Sequence, residues 1–584
     1  MKKEKWILTT KRADFETLGK NNGISPVLAR LLVNRGIDSD EKMKKYLRGG
    51  LESLYSPWLL MDMENAVDIL LNAQREKRKV AISSDFDCDG IFSGFLLKQA
   101  LLRLNIDCMI FTPKRLEEGY GLNRRIIQEA QEKEAEIILT CDNGIAAYEE
   151  IAYAKSKGFT VIVTDHHEVQ DKLPEADAII DPKRADDTYP FSGLCGAGVA
   201  YKLVCALYER VGIPLTETEE LLQYVAIATV ADVMDLEDEN RIIVKEGLKR
   251  LEKTNNMGIR KLIKRQKLDG RLLKAHHIGF IIGPCFNASG RLKTVDLALA
   301  LLEEKDEKKA DLLAGELKEL NDVRKEMTVS EAERAIKRLK EEGGSDKVIV
   351  QYLPDCHESL AGIIAGRIRE HFHRPAIVFT GKGDVLKGSG RSIECYHMFN
   401  ELFACKELLL RFGGHKMAAG MSIKKEDFDV LKQRLNEKCK LTEEDFIPVV
   451  SIDIALPIGY IKDEFLCELE KMEPLGKGNV KPVFAEQHFR ILRAAKRGKE
   501  KNVLVMNVEN ERGTRIDALL FDEVEEFEAF IEEEFGGEEL DKMYHGKTNS
   551  VDVAFTYYPS INEYNGIRNF QIIISNYCHV KRSD

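Results

Sequence analysis

Residues 80–94, Val-Ala-Ile-Ser-Ser-Asp-Phe-Asp-Cys-Asp-Gly-Ile-Phe-Ser-Gly, place three carboxylates, Asp85, Asp87 and Asp89, at alternate positions just after a short apolar run. Like charges packed so closely repel by kcal/mol amounts unless a hard cation such as Mg²⁺ or Mn²⁺ is shared among their oxygens. The pattern recurs downstream. The run from Glu136 to Cys141 delivers Asp142 with Asn143 and Gly144, the run from Thr160 to Thr164 delivers Asp165, His166 and His167, and the stretch from Tyr224 to Ala231 delivers Asp232. Carboxylates and imidazoles that converge in this way suit a pair of divalent ions about 3.5–4 Å apart, which activates water for in-line attack on phosphorus. A solvated acidic turn would explain the first cluster alone, but not the repetition.

Short apolar runs bounded by Asp and Gly read as buried strands, and the segments between them have helical character. Such an alternation makes a βαβ series whose parallel strands present their ends at one edge, where α/β sheets bind ligands. On this reading all four apolar runs are strands, and Asp232 ends the last of them.

In sequence and order these motifs resemble the DHH phosphoesterase superfamily and, within it, the RecJ family of single-strand-specific DNA exonucleases. Asp165-His166-His167 stands as the DHH motif, Asp85-Phe86-Asp87-Cys88-Asp89-Gly90 as the first motif and Asp142-Asn143-Gly144 as the second. The likeness continues through Glu118-Gly119-Tyr120-Gly121-Leu122, residues 194–200, residues 229–233 and Asn287-Ala288-Ser289-Gly290-Arg291, and resumes in residues 388–392 and 413–420. The chain departs from the pattern at Ser83, where some relatives carry a metal-binding histidine, and at Ser359, where a glycine is usual.

The resemblance implies an α/β fold: a parallel-sheet DHH domain joined by a long helix to a second α/β (DHHA1) domain, followed by a C-terminal OB-type β-barrel. The expected division is an N-terminal helical segment over 1–55, the metal domain over 56–292, connecting helices over 293–344, the DHHA1 domain over 345–445 and the OB domain over 446–584. Two Mn²⁺ or Mg²⁺ ions are expected on Asp85, Asp87, Asp89, Asp142, His166 and Asp232, with Asp142, His166 and His167 catalytic. Substrate contacts fall to Arg115, Asn287, Arg291, Ser389, Arg391 and His415, with Arg115 at the family's 5′-phosphate position; a guanidinium grips phosphate oxygens bidentately. The implied activity is metal-dependent 5′-to-3′ hydrolysis of single-stranded DNA to 5′-mononucleotides in repair and recombination. Single-stranded DNA is the implied substrate partner, a single-strand-binding protein and a helicase the implied protein partners, and the cytoplasm the implied location.

Composition fits this picture. A chain of 584 residues with 44% hydrophobic content can build about three or four domains, each with its own core. The twelve cysteines include no C-x-x-C pair, which points away from zinc sites and disulfides and toward a reducing compartment. No window reaches the ~18 apolar residues of a membrane span, and Met1 to Trp6 has no apolar signal core, so no membrane association is expected. A net charge of −11 argues against nonspecific coating of duplex DNA, so nucleic acid must meet a local basic channel.

The remaining segments supply the frame. Pro26 to Arg35 reads as a helix, residues 256–292 as a basic stretch, and about 306–342 as a long helix with Leu313, Leu317, Leu320, Ala332, Ile336 and Leu339 at helical spacing. After 446 come runs of strand character, at 449–455, 503–508, 515–521, 551–558 and 570–574. An OB-type barrel binds single strands by stacking bases on aromatics along a basic groove. Tyr557, Tyr558, Tyr564 and Phe570 are the candidate rings, with Arg493, Lys496, Arg497, Lys499 and Lys501 as a basic loop. Of these, Tyr557, Tyr558 and Arg497 are taken as the single-strand path, and the acidic run from Asp522 to Glu539 should lie off it. Two other readings compete: a DHH-family phosphodiesterase of short oligonucleotides or cyclic dinucleotides, which would not need the barrel, and a noncatalytic DNA-binding scaffold, which would not need the acidic cluster.

Overall fold

The computed structural model describes residues 4–580 except 116, 171, 344–345 and 565–566. Two compact units form, Gly50–Ile447 and Met1–Gly49 with Pro448–Asp584.

In the first unit a five-stranded, all-parallel sheet has the spatial order Cys108–Phe111, Val80–Ser84, Ile137–Cys141, Thr160–Thr164, Ala178–Ile180. The three strands named from their apolar runs are there, in register Val80↔Ile137↔Thr160, so Asp85, Asp142 and Asp165 follow at one edge. Ile82, Leu139 and Ile162 are fully buried, as parallel strands covered on both faces require. The run before Asp232 is not a strand. Leu222–Ala231 is an α-helix, buried on every side from Leu222 to Thr229, so it shows no polar face and periodicity alone could not separate it from a buried strand. The fifth strand is Ala178–Ile180 instead, too short to stand out from the sequence.

The helix Glu307–Glu341 runs for 35 residues and buries Ala310, Ala314, Leu317, Asn321, Thr328, Ala332, Ala335 and Leu339. Its N-terminal turns absorb part of the basic stretch: Lys261 pairs with Glu307 at 2.5 Å, and Arg265 Nε donates to Asp311 at 3.0 Å. Beyond it lies a second five-stranded sheet in the order Leu409–Gly414, Ala418–Lys424, Val385–Arg391, Ala376–Thr380, Ile349–Tyr352. The last pair is parallel and the others antiparallel. Ser389 and Arg391 sit on Val385–Arg391, against the helix Ala361–Phe372.

In the second unit, residues 4–49 carry more than helices. Lys5–Leu8 pairs in parallel with Val449–Ile452, and Leu28, Leu31 and Leu32 from Pro26–Asn34 enter one core with Phe465, Phe484, Phe527 and Phe555. The main sheet pairs Phe484–Arg497 with Val503–Glu509, then Arg515–Phe521, Ile567–His579 and Asp552–Tyr564, and the last of these pairs back onto Phe484–Arg497. Arg493, Lys496 and Arg497 thus lie on a strand rather than in a loop; the alternation of buried and exposed residues along it was hidden by its charge. The acidic run forms the helices Val524–Phe535 and Gly537–Tyr544, which bury Phe527, Phe530, Ile531 and Met543. No helix among the described residues is long and apolar enough to cross a membrane.

Candidate metal centre and substrate site

Three groups of potential ligands gather beyond the parallel strands, each with donor atoms within 4.8 Å of one another: Asp85, Asp87 and Asp142; Asp142, His166 and His167; and Asp89, His166 and Asp232. Asp142 and His166 each belong to two groups. His166 Nε2 lies 3.0 Å from Asp142 Oδ1, 3.7 Å from Asp89 Oδ2 and 3.8 Å from Asp232 Oδ2. Carboxylate oxygens with a single imidazole nitrogen make a donor set for a hard divalent ion.

The surroundings fix these side chains. Asp87 caps the helix Cys88–Arg103, accepting from the N–H groups of Asp89 and Gly90 at 3.0 and 3.1 Å. Asp89 accepts from the N–H groups of Gly196 and Ala197 at 2.6 and 2.8 Å, at the start of the helix Gly196–Val211. Asp165 belongs to the support rather than to the three groups. Its oxygens accept from the N–H groups of Ile145 and His166, at 2.9 and 2.7 Å, and face His167 Nδ1 at 2.8 Å. Asn143 ties the first two strand ends together, donating to the carbonyls of Ser83 and Cys141 and accepting from Leu122 N–H. Ser83 is fully buried, and its hydroxyl finds no hydrogen-bond partner among the described residues.

The electrostatics describe a cluster that wants a cation. Burial, then the neighbouring Asp87, pushes Asp85 well above the usual carboxylate range and Asp89 up to about 6. Burial, then Asp89, does the same to Asp142 and lifts Asp232 to about 8. A divalent ion would displace these protons. Burial, then the charge of His167, drops His166 to about 3, so it is a neutral imidazole, the form that binds metals. Burial also pulls His167 down, but its hydrogen bond to Asp165 more than offsets this and raises it to about 9.

Arginines stand next to the carboxylates. The Arg115 guanidinium lies 4.5 Å above the Phe86 ring, and Asn287 Oδ1 accepts from Cys88 N–H at 2.9 Å. Arg291 donates to the Ser359 carbonyl at 2.7 Å, and Arg391 reaches Ser389 Oγ at 3.2 Å. Burial, then the charges of Arg115 and Arg324, lowers Arg291 to about 10. Neither Arg115, Arg291 nor Arg391 forms an ion pair with a carboxylate among the described residues, although the charges of Asp85 and Asp87 act on Arg115 and that of Asp87 on Arg291 at longer range.

Comparison with known proteins agrees with this geometry. Residues 79–229 match the DHH family N-terminal domain, 345–441 the DHHA1 domain and 452–576 the RecJ OB domain. The single-stranded-DNA-specific exonuclease RecJ of Escherichia coli is 35% identical over 599 residues, covering 98% of this chain and 99% of the relative. The Bacillus subtilis protein of the same name is 36% identical over 535 residues, covering 91% of this chain and 67% of the relative. The chain belongs to the RecJ family. The fold agrees as well: the crystal structure of Thermus thermophilus RecJ in complex with Mn²⁺ matches with a TM-score of 0.82 at 26% identity, over 99% of this chain and 80% of that one. The same protein with Mg²⁺ gives 0.76 at 25%.

Within this RecJ-family chain one sequence expectation changes. Tyr557 cannot stack on a base: it is 1% exposed, packs on Phe484, and its hydroxyl donates to the Leu456 carbonyl. Tyr558 is half-buried, with Lys481 Nζ 4.0 Å from its ring centre, while Arg497 is exposed at the end of its strand. The side chain of Tyr564 lies outside the described residues. His415 is exposed in the turn between Leu409–Gly414 and Ala418–Lys424, with no side-chain hydrogen bond or ion pair among the described residues.

Two neighbours of the centre were given no role from the sequence. Asp181 directly follows Ala178–Ile180, is fully buried, and is pushed by that burial to about 7. Its signal was one more apolar run ending in Asp. Tyr120 donates its hydroxyl to the Asp142 carbonyl and lies 3.1 Å from His167 Nδ1. Only its place between two glycines, Gly119 and Gly121, both at positive φ, marked that turn.

Proposed function

We propose that this chain removes 5′-mononucleotides in succession from the 5′ end of single-stranded DNA, using two Mn²⁺ or Mg²⁺ ions held by Asp85, Asp87, Asp89, Asp142, His166 and Asp232. The sharing of Asp142 and His166 between adjacent ligand groups carries this reading, because a carboxylate that serves two groups can bridge two ions. When bound, the ions supply Lewis-acid activation of water and of the scissile phosphate. The chain supplies orientation. Asp165 holds His167 by Nδ1, and Tyr120 braces both His167 and the Asp142 backbone.

Arg115, Ser389 and Arg391 form the 5′-phosphate pocket, with Arg291 and Asn287 lining the route between that pocket and the carboxylates. His415 completes the substrate side from its exposed turn. Tyr558 and Arg497 remain as single-strand contacts in the second unit. The activity serves DNA repair and recombination in the cytoplasm, in company with a single-strand-binding protein and a helicase. Incubation with Mn²⁺ and DNA labelled at either end tests the reading: mononucleotides should appear first from the 5′ label, and first release from the 3′ label would reverse the polarity.

A further inference from the structure

Phe280 is the most exposed large hydrophobic side chain among the described residues, at 76%. It lies in the π-helical turn Ile278–Ile282, inside an otherwise α-helical run from Ala275 to Leu292. π turns re-aim side chains and recur at functional sites. Here Ile278 and Ile282 are fully buried, so an apolar run turns one aromatic ring outward.

The turn packs against the segment that carries Asp232. A Cβ on Gly279 would lie 3.4 Å from Val230 Cγ1, and one on Gly283 would lie 3.0 Å from Ala231 Cβ. Asp232 follows at once, and after it Val233, 60% exposed with φ 56°. Toward its C-terminal end the same helix presents Asn287, bonded to Cys88 N–H, and then Arg291. Those residues follow seven and eleven positions after Phe280, about 10 and 16 Å along the helix axis. No acidic residue occurs from Gly270 to Val295, whereas Arg271, Lys274, Arg291 and Lys293 do. This helix therefore carries an exposed ring near its start, packs against the segment that delivers Asp232, and ends in Asn287 and Arg291, with no acidic residue of its own.

We propose that Phe280 is a stacking platform for the third base of the strand, one nucleotide beyond the two that flank the scissile phosphate, a positioning residue that presents the incoming strand to the metal centre. The proposal rests on the reading of this site as a single-strand exonuclease. Base faces are open π surfaces in an unpaired strand and are covered in a duplex, so an exposed ring at this place takes single strands and adds to the discrimination against paired DNA.

The test uses the full chain, Mn²⁺, and 5′-phosphorylated strands of two and of ten nucleotides. Phe280→Ala should raise KM on the ten-nucleotide strand roughly tenfold while kcat changes little, since one base stack is lost. The dinucleotide should lose much less, and Phe280→Trp should restore the longer strand. In a catalytically inactive Asp142→Asn background, 2-aminopurine at the third nucleotide should be quenched with Phe280 and brighten with Ala. An equal loss on both substrates, or quenching indifferent to the substitution, would overturn the proposal while leaving the exonuclease reading intact. A wild-type chain that cuts neither strand would overturn both.

Discussion

Asp142 sits in the left-handed region, with φ 59°, immediately after the strand Ile137–Cys141, a conformation that an aspartate tolerates better than most residues. That twist turns its carboxylate toward His166 on one side and into the group of Asp85 and Asp87 on the other. Asp142→Ala should therefore lower kcat to below about a hundredth of wild type, several kcal/mol of barrier, while single-strand affinity falls little. Single-turnover hydrolysis alongside equilibrium binding separates the two, and retention of more than a hundredth would exclude a bridging carboxylate. Arg391 lies against Ser389 and over Gly362, where an added Cβ would meet its Nη2 at 2.7 Å. Arg391→Ala removes a charge-assisted contact, so kcat/KM on 5′-phosphorylated strands should fall roughly tenfold to over a hundredfold. Strands with a 5′ hydroxyl should fall much less; an equal loss on both would mean that Arg391 grips the backbone in general.

The elements hold these residues by close backbone approach. A Cβ on Gly290 would come within 2.1 Å of the Phe86 carbonyl oxygen, so the helix Gly283–Leu292 meets the first motif with no room for a side chain. Gly290→Ala should push that helix off, breaking the bond from Cys88 to Asn287 and shifting Arg291. We expect a loss of about 1–3 kcal/mol in stability, the cost of overpacking, and more than a tenfold loss in kcat/KM. Thermal unfolding and steady-state rates check the two parts, and an unchanged Tm with full activity would show that the contact yields easily. What the sequence made legible at this scale follows from side-chain pattern. Strands Val80–Ser84, Ile137–Cys141 and Thr160–Thr164 were readable because short β-branched runs stop at Asp, and Glu307–Glu341 because its apolar spacing persists for many turns. Leu222–Ala231 was not, since complete burial erases the polar face on which periodicity depends. Tyr557 was misplaced because an aromatic in an alternating strand has two faces to choose from, and only the tertiary fold chooses. The close approach at Gly290 is visible only in three dimensions, although its glycine was part of a recognisable motif.

The chain divides otherwise than its linear order suggests. Residues 4–49 form one unit with those after 448: Lys5–Leu8 pairs with Val449–Ile452, Ser25 N–H donates to Glu468 at 2.7 Å, and Tyr46 donates to Asn479 Oδ1 at 2.9 Å. A chain merely cut at residue 446 would keep the N-terminal helices and strip Leu28, Leu31 and Leu32 of the core they share with Phe465 and Phe484. Exposed apolar surface of that kind favours aggregation, and any loss of activity would be misread as loss of a DNA contact. The informative fragment is residues 50–447, which has its own cores and every proposed metal ligand. It should fold alone and hydrolyse di- and trinucleotides at near wild-type kcat. Its affinity for a long single strand should fall by about tenfold or more, and its runs of successive cleavage should shorten, since base stacking of the kind proposed for the other unit contributes ~1–3 kcal/mol per base. Fluorescence anisotropy on a long labelled strand and product-length analysis against excess unlabelled competitor measure these effects. Equal affinity and equal run length for the fragment and the full chain would remove the second unit from the path of the DNA.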